Sequence, residues 1–181
     1  MILTDEQILE NIRLGQIVIE PFDRKALGTN SYDVHLGSTL ACYEDKVLDA
    51  KKHNKLRFFE IPEEGFVLEP DAFYLGVTKE YTESHLHVPF LEGKSSVGRL
   101  GIDIHATAGK GDVGFKNHWT LEISVKQPVR VYAGMPVGQL IYFVIEGNIL
   151  TPYHAKQNAK YNQRQNQPQE SMMWKNFNEG R

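Results

Sequence analysis

One cysteine, Cys42, is all the thiol chemistry in this chain of 181 residues. A lone cysteine cannot close an internal disulfide, nor can it supply the paired cysteines of a zinc site. Long apolar runs are missing too: no stretch approaches the roughly 20 uninterrupted apolar residues that a membrane helix needs. An excess of charge of one sign is also absent. Lys and Arg number 20 against 23 Asp and Glu, a formal net charge of -3, so no global basic field draws the chain to nucleic acid or to anionic lipid. Any anion site must therefore be local. The start, Met1-Ile2-Leu3-Thr4-Asp5, has no basic segment leading into an apolar one, so a cytoplasmic location is expected.

What is present suffices for one well-buried core. The hydrophobic share is 41%, and the length suits one domain rather than two. Thr4 with Gln7 forms a capping box ahead of Ile8, Ile12 and Leu14, which predicts one short helix ending near Gly15. After it the pattern changes to short β-branched or aromatic runs between turn residues. Strands are predicted at Ile17-Ile19, Tyr32-Leu36, Arg57-Ile61, Phe66-Leu68, Phe73-Thr78, Ile102-Ala106, Trp119-Val125, Val129-Tyr132 and Leu140-Ile145. Many short strands behind one helix predict an all-β fold, a distorted sandwich or barrel.

The densest chemistry lies in Gly93-Lys94-Ser95-Ser96-Val97-Gly98-Arg99-Leu100-Gly101. Glycines let a backbone approach an anion, serines and N–H groups donate to its oxygens, and lysine and arginine supply charge. The run reads as a phosphate cradle, although not a Walker loop, since the glycine needed five positions before Gly93 is Val88. A surface turn with solvated charges is the plain alternative. Beyond Pro152 the chain becomes amide-rich and cationic, with little to bury, and cannot fold alone. It reads either as a solvated tail or as a segment that orders over an anionic ligand through Lys160 and the tyrosines. Trp174 and Phe177 favour docking.

Several of these motifs occur together in one order: Ser31-Tyr32-Asp33-Val34-His35-Leu36-Gly37, Glu92 through Gly101, His105-Ala106-Thr107-Ala108-Gly109, Asp112-Val113-Gly114-Phe115, Thr120-Leu121-Glu122, Gly138-Gln139-Leu140 and Lys160-Tyr161. In that order the chain resembles the dCTP deaminases from end to end. The resemblance implies a dUTPase-like distorted jelly-roll barrel over 1–152 with a C-terminal lid over 153–181. It also implies a homotrimer with active sites between subunits and dCTP as substrate, with no nucleic acid or membrane partner.

Zinc-dependent base deaminases need a Cys-x-x-Cys pair beside a histidine or cysteine. One cysteine cannot provide it, and His85-Leu86-His87 has no acidic or cysteine set around it, so no protein-held metal is expected. Glu122, in the apolar run Trp119-Val125, is then the candidate base, because desolvation there would raise a carboxylate's proton affinity. An outward-facing charge on an alternating strand is the plainer reading; the match to the family's Thr/Val-Leu-Glu motif favours the first. The resemblance implies that Glu122 takes a proton from water, hydroxide attacks C4 of cytosine, and Ser95 and Arg99 act on the same centre. Lys94, Ser96, Val97 and Gly98 would serve triphosphate and sugar, Asp112 the 3′-hydroxyl, and the backbones of Thr120 and Leu121 the base edge. Tyr153, Lys160 and Gln165 would belong to the lid, with Arg164 where the family has its glutamine and Gln163 as a substitute. Magnesium would enter with the triphosphate, held by phosphate oxygens and water.

Two products are open at this point: dUTP, or dUMP with pyrophosphate. Members that only deaminate tend to carry histidine where this chain has Gly109, after Ala108, and Asp112 is placed to orient a second water. Lys110-Gly111 departs from the family pattern, which has a bulky apolar residue before the aspartate; the extra glycine is expected to loosen the loop. A dUTP diphosphatase without deaminase activity and a non-catalytic nucleotide sensor are the alternatives. The resemblance also implies dTTP as a feedback inhibitor acting near Ala108.

Overall fold

In the computed structural model, which describes residues 1–178, the chain begins with helix α1 (Asp5–Arg13). Thr4 and Gln7 form the predicted box: the Thr4 hydroxyl accepts from Gln7 N–H while the Gln7 side chain accepts from Thr4 N–H. The helix stops two residues before Gly15, and it buries Ile8. Everything structural that follows, apart from single turns of helix, is β.

Eleven strands follow among the described residues: β1 (Ile17–Glu20), β2 (Tyr32–His35), β3 (Thr39–Tyr43), β4 (Leu56–Glu60), β5 (Phe66–Leu68), β6 (Tyr74–Ser84), β7 (His87–Gly93), β8 (Ile102–Asp103), β9 (Lys116–Val125), β10 (Val129–Val131) and β11 (Pro136–Val144). They make a six-stranded sheet of order β4-β3-β6-β9-β8 with β1 also on β6, a three-stranded sheet β2-β11-β7, and a ribbon β5-β10. A bridge between Leu36 and Thr78 stitches the two larger sheets. The sheets curl around a core that includes Leu36, Leu40, Leu68, Leu91, Leu121 and Leu140, each essentially inaccessible to water. The predicted all-β barrel with one N-terminal helix is the fold observed.

Several strands depart from expectation: β3 and β7 are not expected from the sequence, β6 runs on to Ser84 instead of stopping at Thr78, β8 ends at Asp103 instead of Ala106, and β9 and β11 begin earlier than expected, at Lys116 and Pro136. β6 is long because it changes neighbours along one edge, pairing β3 at Leu75 and then β1 from Tyr81 to Ser84, while β9 follows its other edge on both sides of residues 78–80. The price of that switch is a register shift between Val77 and Tyr81. Its polar groups are satisfied: the Thr78 hydroxyl accepts from Trp119 N–H at 2.9 Å, and buried Glu80 accepts from His35 N–H at 2.8 Å and meets His35 Nδ1 at 2.6 Å.

β9 alternates strictly, with Asn117, Trp119, Leu121, Ile123 and Val125 buried and His118, Thr120, Glu122 and Ser124 half-buried on the other face. Leu121 therefore locks the position of Glu122 through the core. Leu121→Ala should cost about 2–5 kcal/mol of unfolding free energy, read as a lower urea midpoint with an unchanged slope.

Candidate active site

The half-buried face of β9 forms the floor of a cavity of about 460 Å³. Its lining combines His118, Thr120 and Glu122 from β9, Ala108 through Asp112 from the preceding loop (Gly109 excepted), an aromatic wall of Phe115, Trp119 and Tyr153, and Tyr161, Gln169 and Ser171 from the C-terminal segment. The Phe115 ring sits 5.0 Å from Trp119 and 5.8 Å from Tyr153, centroid to centroid. An apolar wall facing a few polar groups is the usual make-up of a small-molecule site.

The polar groups are fixed by their neighbours. Glu122 Oε2 accepts from Ala106 N–H at 2.8 Å, tying the strand to the loop, and Glu122 N–H bonds to Ile104 O. Asp112 accepts from Lys110 Nζ at 2.7 Å and lies 3.5 Å from Lys156 Nζ; chiefly the Lys110 bond holds its carboxyl below the usual carboxylate range. Burial lowers the His118 pKa, and its Nδ1 lies 3.0 Å from Thr78 O. A neutral ring must donate from Nδ1 to that carbonyl, which makes Nε2 the acceptor. Thr120 is engaged at both levels: its backbone pairs with Val77 in the sheet, and its hydroxyl accepts from Gln169 N–H. Leu121 offers only backbone, since its side chain is in the core.

The cationic loop is not part of this cavity. Residues 95–98 form a single helical turn, α2 (Ser95–Gly98), with Val97 buried and Ser95, Ser96 and Arg99 exposed. Lys94 Nζ bonds to Asp33 at 2.5 Å. The sheet explains the separation. Gly101 O accepts from Lys126 N–H, so the loop joins β9 beyond its C-terminal end, four residues from Glu122 or about 13 Å along a strand. Within one chain, then, Ser95 and Arg99 are not brought to Glu122, whereas Asp112, Thr120, Tyr153 and Ala108 are.

The C-terminal segment is docked rather than solvated. Tyr153 opens the short helix Tyr153–Ala155, and its hydroxyl accepts from Tyr161 N–H. Arg164 lies 3.8 Å above the Tyr81 ring and 3.4 Å from Glu20. Farther on, Glu170 bonds to His53 Nδ1 at 2.6 Å, and Trp174 packs its ring 4.0 Å from the His53 ring. Lys160 bonds to Asn176, and Gln165 donates its N–H to Asn117; neither side chain lines the cavity. The last three residues assigned to this segment, 179–181, lie outside the described residues. His118, Gln169 and Ser171 were not anticipated; the two serving residues of the segment are placed by tertiary contacts alone, while His118 was readable as a polar residue four positions before Glu122 on the same strand face.

No group of three or more His, Cys, Asp or Glu side chains able to hold a metal ion occurs among the described residues, and no described helix is long and apolar enough to cross a membrane.

A family model described as dCTP deaminase-like matches residues 2–145. The chain belongs to the dCTP deaminase-like family. A relative from Leptospira biflexa bearing the name "dCTP deaminase, dUMP-forming" is 50% identical over 178 residues, 98% of each chain. A relative of the same name from Clostridium acetobutylicum is 48% identical, over 98% of this chain and 99% of its own. Among solved structures, the 2′-deoxycytidine 5′-triphosphate deaminase of Agrobacterium tumefaciens superposes with a TM-score of 0.63 at 22% identity. It shares the fold over 79% of this chain, which spans 48% of that longer protein.

Gly111 has a steric reason to be glycine. A Cβ there would lie 2.6 Å from Trp119 Cη2 and 2.9 Å from Pro89 Cγ, and Gly111 N–H is bonded to Pro89 O. The Trp119 indole occupies the room that a bulky residue before Asp112 would need. The glycine is thus there for space, not to loosen the loop. Gly111→Val should cost roughly 1–3 kcal/mol, read as a lower melting temperature. For Asp112, Lys110→Met should move the carboxyl titration up toward the ordinary value near 3.9, followed by NMR. Because the folded-state pKa is the lower one, the stabilisation is present above the unfolded value and fades as pH falls through the folded one. The variant should therefore lose its small stability margin only above about pH 4.

Proposed function

We infer that this chain is a hydrolase that deaminates dCTP and carries the product on to dUMP and pyrophosphate. What supports the reading most is that relatives 48–50% identical over nearly the whole chain carry the dUMP-forming dCTP deaminase name. The cavity's chemistry agrees with it. Glu122 Oε2 is held by Ala106 N–H, which leaves Oε1 to take a proton from water. Hydroxide adds to C4 of cytosine and Glu122 returns the proton to N3; the C4 hydroxyl proton then passes through Glu122 to the exocyclic amine, the bond from C4 to that amine breaks, and ammonia leaves with dUTP remaining. A second water, oriented by Asp112, attacks the α-phosphorus and pyrophosphate departs. The substrate is the magnesium complex of the triphosphate.

Gly109 supports the second step. A Cβ there would lie 2.6 Å from Leu91 O, and Gly109 O accepts from Leu91 N–H at 2.7 Å. No side chain, histidine included, fits at position 109 on this loop path, which agrees with the dUMP-forming reading.

Ser95 and Arg99, with Lys94, Ser96, Val97 and Gly98, complete the site from a neighbouring copy in a homotrimer, Ser95 by hydrogen bonding at the reacting centre and Arg99 by holding Glu122 and water. Residues 153–178 act as lid, with Tyr153, Lys160 and Gln165 its nucleotide contacts once the triphosphate arrives. dTTP, which shares sugar and triphosphate with the substrate, competes for the cavity and favours an inactive placement of the loop at Ala108.

Incubating the protein with dCTP and magnesium should yield ammonia, dUMP and pyrophosphate in equal amounts. Glu122→Gln should lower ammonia release by about 10²–10⁴-fold while nucleotide binding stays within a few-fold, and Asp112→Asn should let dUTP accumulate. Deamination by Glu122→Gln at the wild-type rate would remove Glu122 from the chemistry.

A further inference from the structure

The side chain of Asn117 is fully buried, yet every bond it makes beyond its own strand goes to the C-terminal segment. Its Nδ2 donates to Tyr161 O at 3.1 Å and to Gln163 O at 2.8 Å. Its Oδ1 accepts from Gln165 N–H at 2.9 Å and from His118 N–H at 2.9 Å. The amide orientation follows from chemistry, because carbonyl oxygens can only accept and N–H groups can only donate. All four hydrogen-bonding positions of one primary amide are filled. Three of them read the backbone of residues 161, 163 and 165, every second residue of the segment.

An amide used in this way recognises chain conformation rather than side chains. The segment passes the Asn117 amide on an irregular path with bends at Tyr161 and Gln163. The three bonds therefore form together only when 161–165 follows this path against β9. On one side of that station, Tyr161 lines the cavity and its hydroxyl accepts from Met172 N–H. Farther along, Gln169 and Ser171 also line the cavity. One residue along β9 lies His118, and Glu122 is five residues on in the same strand. The seat for the segment and the floor of the cavity are thus one rigid element.

We propose that Asn117 is a positioning residue that seats residues 161–165 on β9 and so holds the lid over the nucleotide cavity. Without it, the buried strand position would keep its packing while the segment loses three backbone bonds at once. The competent, covered form would then be a smaller fraction of the population, and the apparent affinity for nucleotide would fall by that fraction. Chemistry at saturation would change little, since bound nucleotide draws the lid back. The kinetic part of this proposal rests on the dCTP reading; the part concerning the lid does not.

The test is hydrogen exchange on the full-length protein together with dCTP kinetics, for Asn117→Ala and for the near-isosteric Asn117→Asp, which keeps the acceptor and loses the donor. Exchange over 156–171 should speed up about tenfold or more in Asn117→Ala and in Asn117→Asp alike, the latter because its second oxygen would face the Tyr161 and Gln163 carbonyls, with β6 and β9 exchanging as in the unaltered protein. KM for dCTP should rise in both, with kcat within about threefold. Unchanged exchange over 156–171 would overturn the proposal. So would equal acceleration of β6 and β9 in both variants, which would make Asn117 an ordinary core residue. Faster lid exchange with an unchanged KM would overturn its role in substrate binding. If the unaltered protein releases no ammonia from dCTP, the functional reading fails while the exchange result still decides whether Asn117 seats the segment.

Discussion

The antiparallel register between β6 and β9 is the constraint from which the site follows. It runs from Tyr74 opposite Ile123 to Glu83 opposite Lys116, broken only by the shift between Val77 and Tyr81. With that register set, period-two alternation sends Trp119, Leu121 and Ile123 into the core and leaves His118, Thr120 and Glu122 on the cavity side. A slip of one residue would bury Glu122 and expose Leu121. The interruption at residues 78–80 is the register's safeguard: Thr78 bonds to Trp119 N–H, and His118 Nδ1 meets Thr78 O, so the bulged residues are tied to β9 by their own polar groups.

How far the sequence discloses this depends on whether a signal is local. The Thr4–Gln7 box and the alternation around Leu121 are local, and both were legible. β7 was not, because Pro89 and charged Glu92 interrupt its apolar run; the proline is tolerated since β7 pairs with β11 alone within its sheet. β3 was hidden by the short, small-residue run Thr39–Tyr43, whose strand character comes from pairing β4. The opposite error at Ile104–Ala106 has a related cause: the apolar periodicity continues, but β8 pairs with β9 only at Ile102 and Asp103. Thr120 and Glu122 on β9, and Ala108 and Asp112 in the preceding loop, are readable through motif; His118 is not. The anchors of the C-terminal segment, at Asn117, Tyr81 and His53, are scattered along the chain and carry no motif.

That contrast bears on the composition of the segment. Its richness in amides and scarcity of apolar side chains, which exclude independent folding, suit a strap whose contacts are backbone hydrogen bonds to a ready-made surface. Gln165, Gln169, Ser171 and Met172 all donate N–H groups to side-chain oxygens of Asn117, Thr120, Tyr43 and Tyr161. Such contacts are individually modest, and together they hold the segment against the barrel.

Charge decides what one chain leaves unfinished. The cavity floor and loop carry two carboxylates, Glu122 and Asp112, and the cations beside them, Lys110 and Lys156, are both engaged with Asp112. A triphosphate brought into this cavity would meet acidic groups first, while Arg99, Ser95 and Ser96 stay exposed beyond the far end of β9. Those exposed groups have the composition of an anion cradle and lie too far along the strand to serve their own Glu122. Under the function proposed above, a neighbouring copy of the chain would supply the cradle that this cavity lacks, joined head to tail so that base and cradle meet without altering either.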